Sequence, residues 1–520
     1  MANQTDWRVG IDVGGTNTDA VMLDTEDRLL AKVKRSTTED VTTGIRTALR
    51  QVVAAVDGAA ARVGHVMLGT THATNAILER RALQRVAVVR LGGPATRSIP
   101  PLSSWPDDLR GAVSCGEVIV DGGVEMTGEP LVPLDEAAVK EFLDSVSSLA
   151  ESVAVAGVFS PVASDQELRV QELVYDTIGE IPVSLSHEIG SLGLLERENA
   201  CVLNAALVGV ARQVVEGLTS AIADNGLDAE AYLAQNDGTL MSLDYVSRYP
   251  VLTIGSGPTN SMRGAAYLTG AKDALVVDVG GTSTDIGVLA NGFPRESASA
   301  VEVGGVRTNF RMPDLVSVAI GGGTVLTERE GSVQLGPRSV GYKLTEESLL
   351  FGGGTPTLTD AVVSIGRAVG IGDERGLTGF GDLLRVSMDL CDQRLAEAVD
   401  RAKTSSKELP LVAVGGGSIL VPQDIAGVTE VQRPDNYEVA NATGAAIASV
   451  SGEIDRVFKF GPGGRDEAIA EAVAAATDEA VRAGADPAGV ETVEIEEIPL
   501  AYLTDPVTRI RVKAAGPLSK

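Results

Sequence analysis

The phrase GIDVGGTNTD begins at Gly10 and returns as VVDVGGTSTD at Val276. Each copy is an apolar strand, an aspartate, a Gly-Gly centre, hydroxyl residues, a second aspartate and another apolar strand, a pattern that predicts a β-hairpin. Gly14-Gly15 and Gly280-Gly281 carry no side chain, so backbone N–H groups there approach a phosphate closely. Thr16, Asn17, Thr18, Thr282, Ser283 and Thr284 add further donors. Asp12 and Asp278, at the ends of the first strands, suit Mg²⁺ held through water, because this ion dehydrates reluctantly. One copy alone would read as an ordinary tight turn. Two copies in the same order predict two domains of similar topology, whose hairpins grip one phosphate chain from opposite sides of a cleft.

A third glycine cluster, LVAVGGGSIL at 411–420, follows a helical stretch and a Val-rich strand. The paired hairpins resemble those of the sugar kinase, actin and Hsp70 superfamily, which places its adenosine loop at such a position; by that resemblance Gly415, Gly416 and Gly417 would let backbone lie against an adenine and ribose. That resemblance implies an α/β fold of two ribonuclease-H-like lobes with ATP and Mg²⁺ in the cleft between them.

Composition narrows the alternatives. The 520 residues exceed what one core usually serves, and Lys plus Arg number 43 against 71 Asp plus Glu, a formal charge of −28. Such a chain repels nucleic acid and anionic lipid, so neither is an expected partner. The N-terminus lacks a secretion-signal pattern, no apolar run approaches membrane-spanning length, and a cytoplasmic setting is expected. Cys115, Cys201 and Cys391 form no CxxC pair, and His65, His72 and His187 are too few for a histidine-rich metal site.

Periodicity predicts an amphipathic helix through Val41, Ile45, Leu49, Val52 and Val56, buried strands flanking a helix over 153–185, and a long helix from about Leu195 to Asp224. A three-part division follows: 1–190 with the first hairpin, 191–460 with the second hairpin and the adenosine loop, and 461–520 as a small αβ segment or the completion of a sheet.

The segments LGTTHATNAILER, SHEIGSLGLLERENACVLNAAL, GSGPTNSMRGAAY, VVDVGGTSTDIG, and GPRSVGY followed by PTLTDAVVSIGR resemble the hydantoinase A and 5-oxoprolinase family, in family order from residue 9 to about 420. The stretch GPRSVGYKLTEESLLFGG departs from the family's cysteine-containing form. The resemblance implies an ATP-dependent amidohydrolase acting on a cyclic amide, with a separate hydantoinase-B-like subunit; related members include carboxylase subunits.

Further candidates are Thr70, Thr71, His72, Thr74 and Asn75 in a polar turn facing the cleft, and Asp237 in QNDG as a general base near the γ-phosphate or an ordinary turn residue. His187-Glu188 and Glu196-Arg197 match family segments and are expected to line the substrate side or to serve in ion pairs and caps. Gly321, Gly322 and Gly323 are read as a cleft loop within reach of ATP. Two other classes stay open: a small-molecule kinase or carboxylase subunit, and an ATP-driven reactivase or chaperone-like switch.

Overall fold

The computed structural model describes residues 6–37, 41–297, 301–310, 312–459, 464–499 and 507–519. Both repeated phrases form antiparallel hairpins. Trp7–Val13 pairs with Asn17–Leu23, setting Asp12 opposite Asp19, and Ala274–Val279 pairs with Thr284–Ala290, setting Asp278 opposite Asp285. Each first strand also takes a parallel neighbour on its other edge, Val63–Thr70 in one case and Leu409–Val414 in the other. The duplication is therefore topological as well as textual.

The first hairpin belongs to a nine-stranded sheet and the second to a six-stranded one. The nine-stranded sheet unites strands from all three sequence segments. Glu230–Ala234 and Leu240–Ser242 join it from the middle of the chain, and Val450–Lys459, Val507–Gly516 and Glu491–Pro499 extend it to one edge. The C-terminal segment thus completes a sheet. Between Val86 and Leu185 the chain builds a third, all-parallel sheet of four strands, with its own apolar core around Leu91, Leu143, Val155 and Leu173.

The helix Val41–Ala54 buries Ile45, Leu49 and Val52, spaced on one face, against the first sheet. The long helix runs from Leu194 to Asp224. By length and apolarity it passes as a membrane span, contrary to the expectation that no run would. Most of its apolar window is instead buried in the fold, and Arg197, Glu198, Asn199 and Asn204 are buried along it, as suits a core helix.

Two helices lie between the large sheets. Ser256–Thr269 and Ala440–Ile447 cross at Gly264 and Gly444, where a β-carbon on Gly444 would lie 2.8 Å from the Gly264 nitrogen. Small residues permit that approach and bring both helices onto the backs of the hairpins. Ala442 and Ala446 pack on Val21 and Leu23 of the first, while Met262 and Ala440 pack with Val276 and Val412 beside the second.

Candidate active site between the two hairpins

The two hairpin turns close identically, with the Gly14 N–H bonded to the Asn17 carbonyl and the Gly280 N–H to the Ser283 carbonyl, each at 2.9 Å. They also meet. A β-carbon at Gly281 would stand 3.0 Å from Thr16 Cγ2 and 3.2 Å from its Oγ1. The parallel neighbour of each hairpin supplies a glycine beside the strand-end carboxylate. A β-carbon on Gly69 would come within 2.5 Å of Asp12 Oδ1, and one on Gly415, which has φ +81°, would collide with Asp278 Oδ1. Gly415 therefore answers both a left-handed backbone and a close carboxylate. Gly416 lies across from Lys34 of the first hairpin's sheet, 3.7 Å from its Cε if a β-carbon is added. Lys34 Nζ in turn donates to Asp19 Oδ2 at 2.8 Å and to the Glu438 carbonyl at 3.0 Å. The third glycine cluster thus borders the same groove.

Four carboxylates gather at the base of this groove. Burial, then the neighbouring Asp19 and Asp278 charges, push Asp12 up to about 7. Burial lifts Asp19 to about 6 against the pull of Lys34, lifts Asp285 to about 6, and raises Asp278. The crossing helices supply partners for the central pair. Ser261 Oγ donates to Asp278 Oδ2 at 2.5 Å, and Asn441 Nδ2 lies 3.5 Å from Asp12 Oδ2. Asp12 Oδ1 is buried with no hydrogen-bond partner. Among the described residues no three His, Cys, Asp or Glu side chains form a ready metal cage. An orphaned carboxylate oxygen beside a second carboxylate fits a hydrated Mg²⁺ completed by ligand phosphates, and does not fit a protein-caged ion.

The polar turn of residues 70–75 also faces this region. Thr71 N–H bonds the Val13 carbonyl at 3.3 Å, and Thr70 Oγ1 pairs with His72 Nδ1 at 2.6 Å. Burial lowers the His72 pKa, which favours the neutral imidazole. Gly14, Gly15, Thr37, Thr71, His72 and Asn75 line a cavity of about 530 Å³, bounded on its far side by Val210 and Val214 of the long helix. This space adjoins the first phosphate turn.

Other sequence candidates lie in different surroundings. The Gly321–Gly323 loop uses its donors internally: Gly321 N–H bonds Thr324 Oγ1, Gly322 N–H the Gly280 carbonyl and Gly323 N–H the Gly281 carbonyl. It buttresses the second hairpin, and its amides are not free for a nucleotide. Asp237 is tied to Lys513 at 2.6 Å and to Thr239 Oγ1 at 2.5 Å. Lys513, nearly fully buried, also meets Glu296 at 3.0 Å. This arrangement suits an anchor for the C-terminal strand and leaves no carboxylate oxygen for base work. His187 pairs with buried Glu167 at 2.6 Å, Arg197 donates to Ser186 Oγ at 2.9 Å, and Glu188 pairs with Arg248. These groups hold the start of the long helix rather than lining the cavity. Ser261, Asn260 and Asn441 are site residues that sequence reasoning misses; the only signal is their position in the small-residue segments GSGPTNSMRG and ANATGAA.

Residues 8–178 match the hydantoinase/oxoprolinase N-terminal region and residues 197–370 match hydantoinase/oxoprolinase. The acetophenone carboxylase gamma subunit of Aromatoleum aromaticum is 27% identical over 69% of this chain, and the caprolactamase subunit alpha of Pseudomonas jessenii is 26% identical over 85%. The chain spans 53% and 65% of those relatives' own lengths. The crystal structure of the ATP-dependent caprolactamase from Pseudomonas jessenii superposes with a TM-score of 0.78 at 19% identity, covering 99% of this chain and 88% of that one. That likeness is one of fold.

Proposed function

Because the chain belongs to the hydantoinase/oxoprolinase family, we propose that it is an ATP-dependent hydrolase subunit that activates a cyclic amide, a hydantoin, 5-oxoproline or another lactam, by phosphoryl transfer. The observation that carries this reading is the meeting of the two glycine turns at Thr16 and Gly281. Gly14 to Thr18 and Gly280 to Ser283 would hold the phosphates, and Gly415 to Gly417 the adenosine. Asp12 and Asp278 would hold Mg²⁺ through water, and the ion would supply charge neutralisation on the phosphoryl oxygens.

A lactam carbonyl is a poor electrophile because of amide resonance. Transfer of the γ-phosphoryl to the amide oxygen breaks the bond to the β-phosphate, releases ADP and turns that oxygen into a leaving group. Water then adds at the carbon, the tetrahedral adduct expels the ring nitrogen, which takes up a proton, and the acyl phosphate that remains is hydrolysed by a second water to the carboxylate and inorganic phosphate. The protein's contribution to such a transfer is position and charge more than covalent help. The cavity beside Gly14 and Gly15 is where the acceptor would sit, with Thr71, His72 and Asn75 on its polar wall. His72, held by Thr70 and neutral through burial, is suited to orient the acceptor or exchange a proton with it. Asp237 is left out of the chemistry on the strength of its bond to Lys513.

Relatives that are named as subunits support a second, hydantoinase-B-like chain as partner, on which ring opening would finish. The unpaired cysteines accord with a cytoplasmic setting. The carboxylase relative favours one second reading, in which bicarbonate replaces the amide as phosphoryl acceptor. ATP consumption by the chain reconstituted with its partner, across lactams, hydantoins, 5-oxoproline and bicarbonate, separates these readings. Ring-opened product with ADP supports the first, a carboxylated product the second, and a stable phosphorylated small molecule would overturn both in favour of a kinase.

A further inference from the structure

Asn260 sits on the crossing helix Ser256–Thr269, one residue before the serine that bonds Asp278. Its side chain is fully buried, and neither Oδ1 nor Nδ2 has a hydrogen-bond partner. Asp12 Oδ1 is orphaned in the same way. Both groups converge on Gly69, where an added β-carbon would come within 2.5 Å of Asp12 Oδ1 and would collide with Asn260 Nδ2. The absent side chain at Gly69 leaves that meeting point open. Buried amides are paired almost without exception, so one with both atoms idle beside an idle carboxylate oxygen marks a place that something else completes.

Ala440–Ile447 crosses close by, so that a β-carbon at Gly444 would lie 2.7 Å from the backbone carbonyl carbon of Asn260. On the far side, Asn441 Nδ2 already faces Asp12 Oδ2. The two asparagines thus flank Asp12 from the two crossing helices.

Resting on the ATP and Mg²⁺ reading above, we propose that Asn260 is a positioning residue for a hydrated divalent cation at Asp12. Its amide oxygen accepts from a water of the ion's shell, and its N–H fixes the free carboxylate oxygen. Residues in that outer position tune metal affinity by about 10–100-fold. A buried water bridging the two side chains is the purely structural alternative.

The test is Mn²⁺ titration of the full chain with a non-hydrolysable ATP analogue, followed by electron paramagnetic resonance, for wild type, Asn260→Leu and Asn260→Asp. Asn260→Leu is expected to weaken Mn²⁺ binding by about tenfold or more, with analogue binding in EDTA unchanged. Asn260→Asp, which keeps an acceptor oxygen, is expected to retain the ion. A cooperatively melting Asn260→Leu that binds Mn²⁺ like wild type overturns the inference and leaves the ATP site standing. Should Asn260→Leu fail to fold, Asn260→Ala decides: a loss of Mn²⁺ affinity of about tenfold supports the role and wild-type affinity overturns it. A wild-type chain that binds neither analogue nor Mn²⁺ overturns the ATP reading and this inference together.

Discussion

Gly281 in the second hairpin faces Thr16 in the first so closely that a single added carbon would press on the threonine methyl at 3.0 Å. Two loops from separate sheets touch only if the sheets face each other across one groove. Gly281→Ala keeps an allowed backbone and adds only that carbon. It is expected to weaken ATP-analogue binding by about tenfold, a 1.4 kcal/mol effect, with little change in melting temperature. Thr16→Ser, which removes the pressed methyl, should restore part of the loss in the double variant. Calorimetric titration of the single and double variants checks this.

The clustered carboxylates make stability depend on pH in a defined direction. Asp12 has a folded-state pKa of about 7 against an ordinary value of 3.8. Between those values the folded chain binds more protons than the unfolded one, so this group's contribution falls as pH rises from about 4 to about 7. Asp12→Asn removes it. The variant is expected to gain about 1–3 kcal/mol over wild type at pH 7.5, and no such gain at pH 4, while phosphoryl transfer drops by about two orders of magnitude. Thermal melts at both pH values, paired with ATPase assays, test both halves.

Lys513 bridges Asp237 and Glu296 from the last long strand. Lys513→Met leaves two buried carboxylates without their shared cation, and should cost about 3–5 kcal/mol. Asp237→Asn removes one charge and keeps the hydrogen bonds from Thr239, so it should cost less. If Asp237 is an anchor, denaturation midpoints move while the KM for ATP and acceptor holds. An Asp237→Asn enzyme of unchanged stability with activity abolished would restore the general-base expectation.

The cavity beside Gly14 predicts a split between nucleotide and acceptor. His72→Ala and Asn75→Leu are expected to raise the acceptor KM about tenfold, leaving analogue affinity near wild type. Steady-state kinetics with the reconstituted pair read the two constants separately.

The repeated hairpins are legible in the chain because the chemistry is local: strand, aspartate, glycine turn and strand follow one another without interruption from Trp7 to Leu23 and from Ala274 to Ala290. The long helix is equally legible, expected from Leu195 and found from Leu194, because its apolar pattern is continuous. Lys513, Asn260 and Asn441 escape for the opposite reason. Asn441 meets Asp12 across 429 residues of chain, and nothing in a helix of Ala, Thr and Gly marks one amide as the one that turns toward a carboxylate. Of the four-stranded sheet between Val86 and Leu185, the strands flanking the helix over 153–185 are visible in the pattern, but their pairing with the two earlier strands and their separation from the first sheet are matters that local pattern does not encode. Gly321 to Gly323 mislead because a glycine run reads alike whether its amides face a ligand or a neighbouring turn.

A crystal structure of the chain with Mg²⁺ and a non-hydrolysable ATP analogue decides whether the two glycine turns share one triphosphate. One nucleotide per chain is expected, with its β- and γ-phosphates accepting hydrogen bonds from backbone N–H groups of both the Gly14–Thr16 and Gly280–Thr282 turns. A nucleotide bound by one turn alone, or seated outside the groove between them, would contradict that expectation.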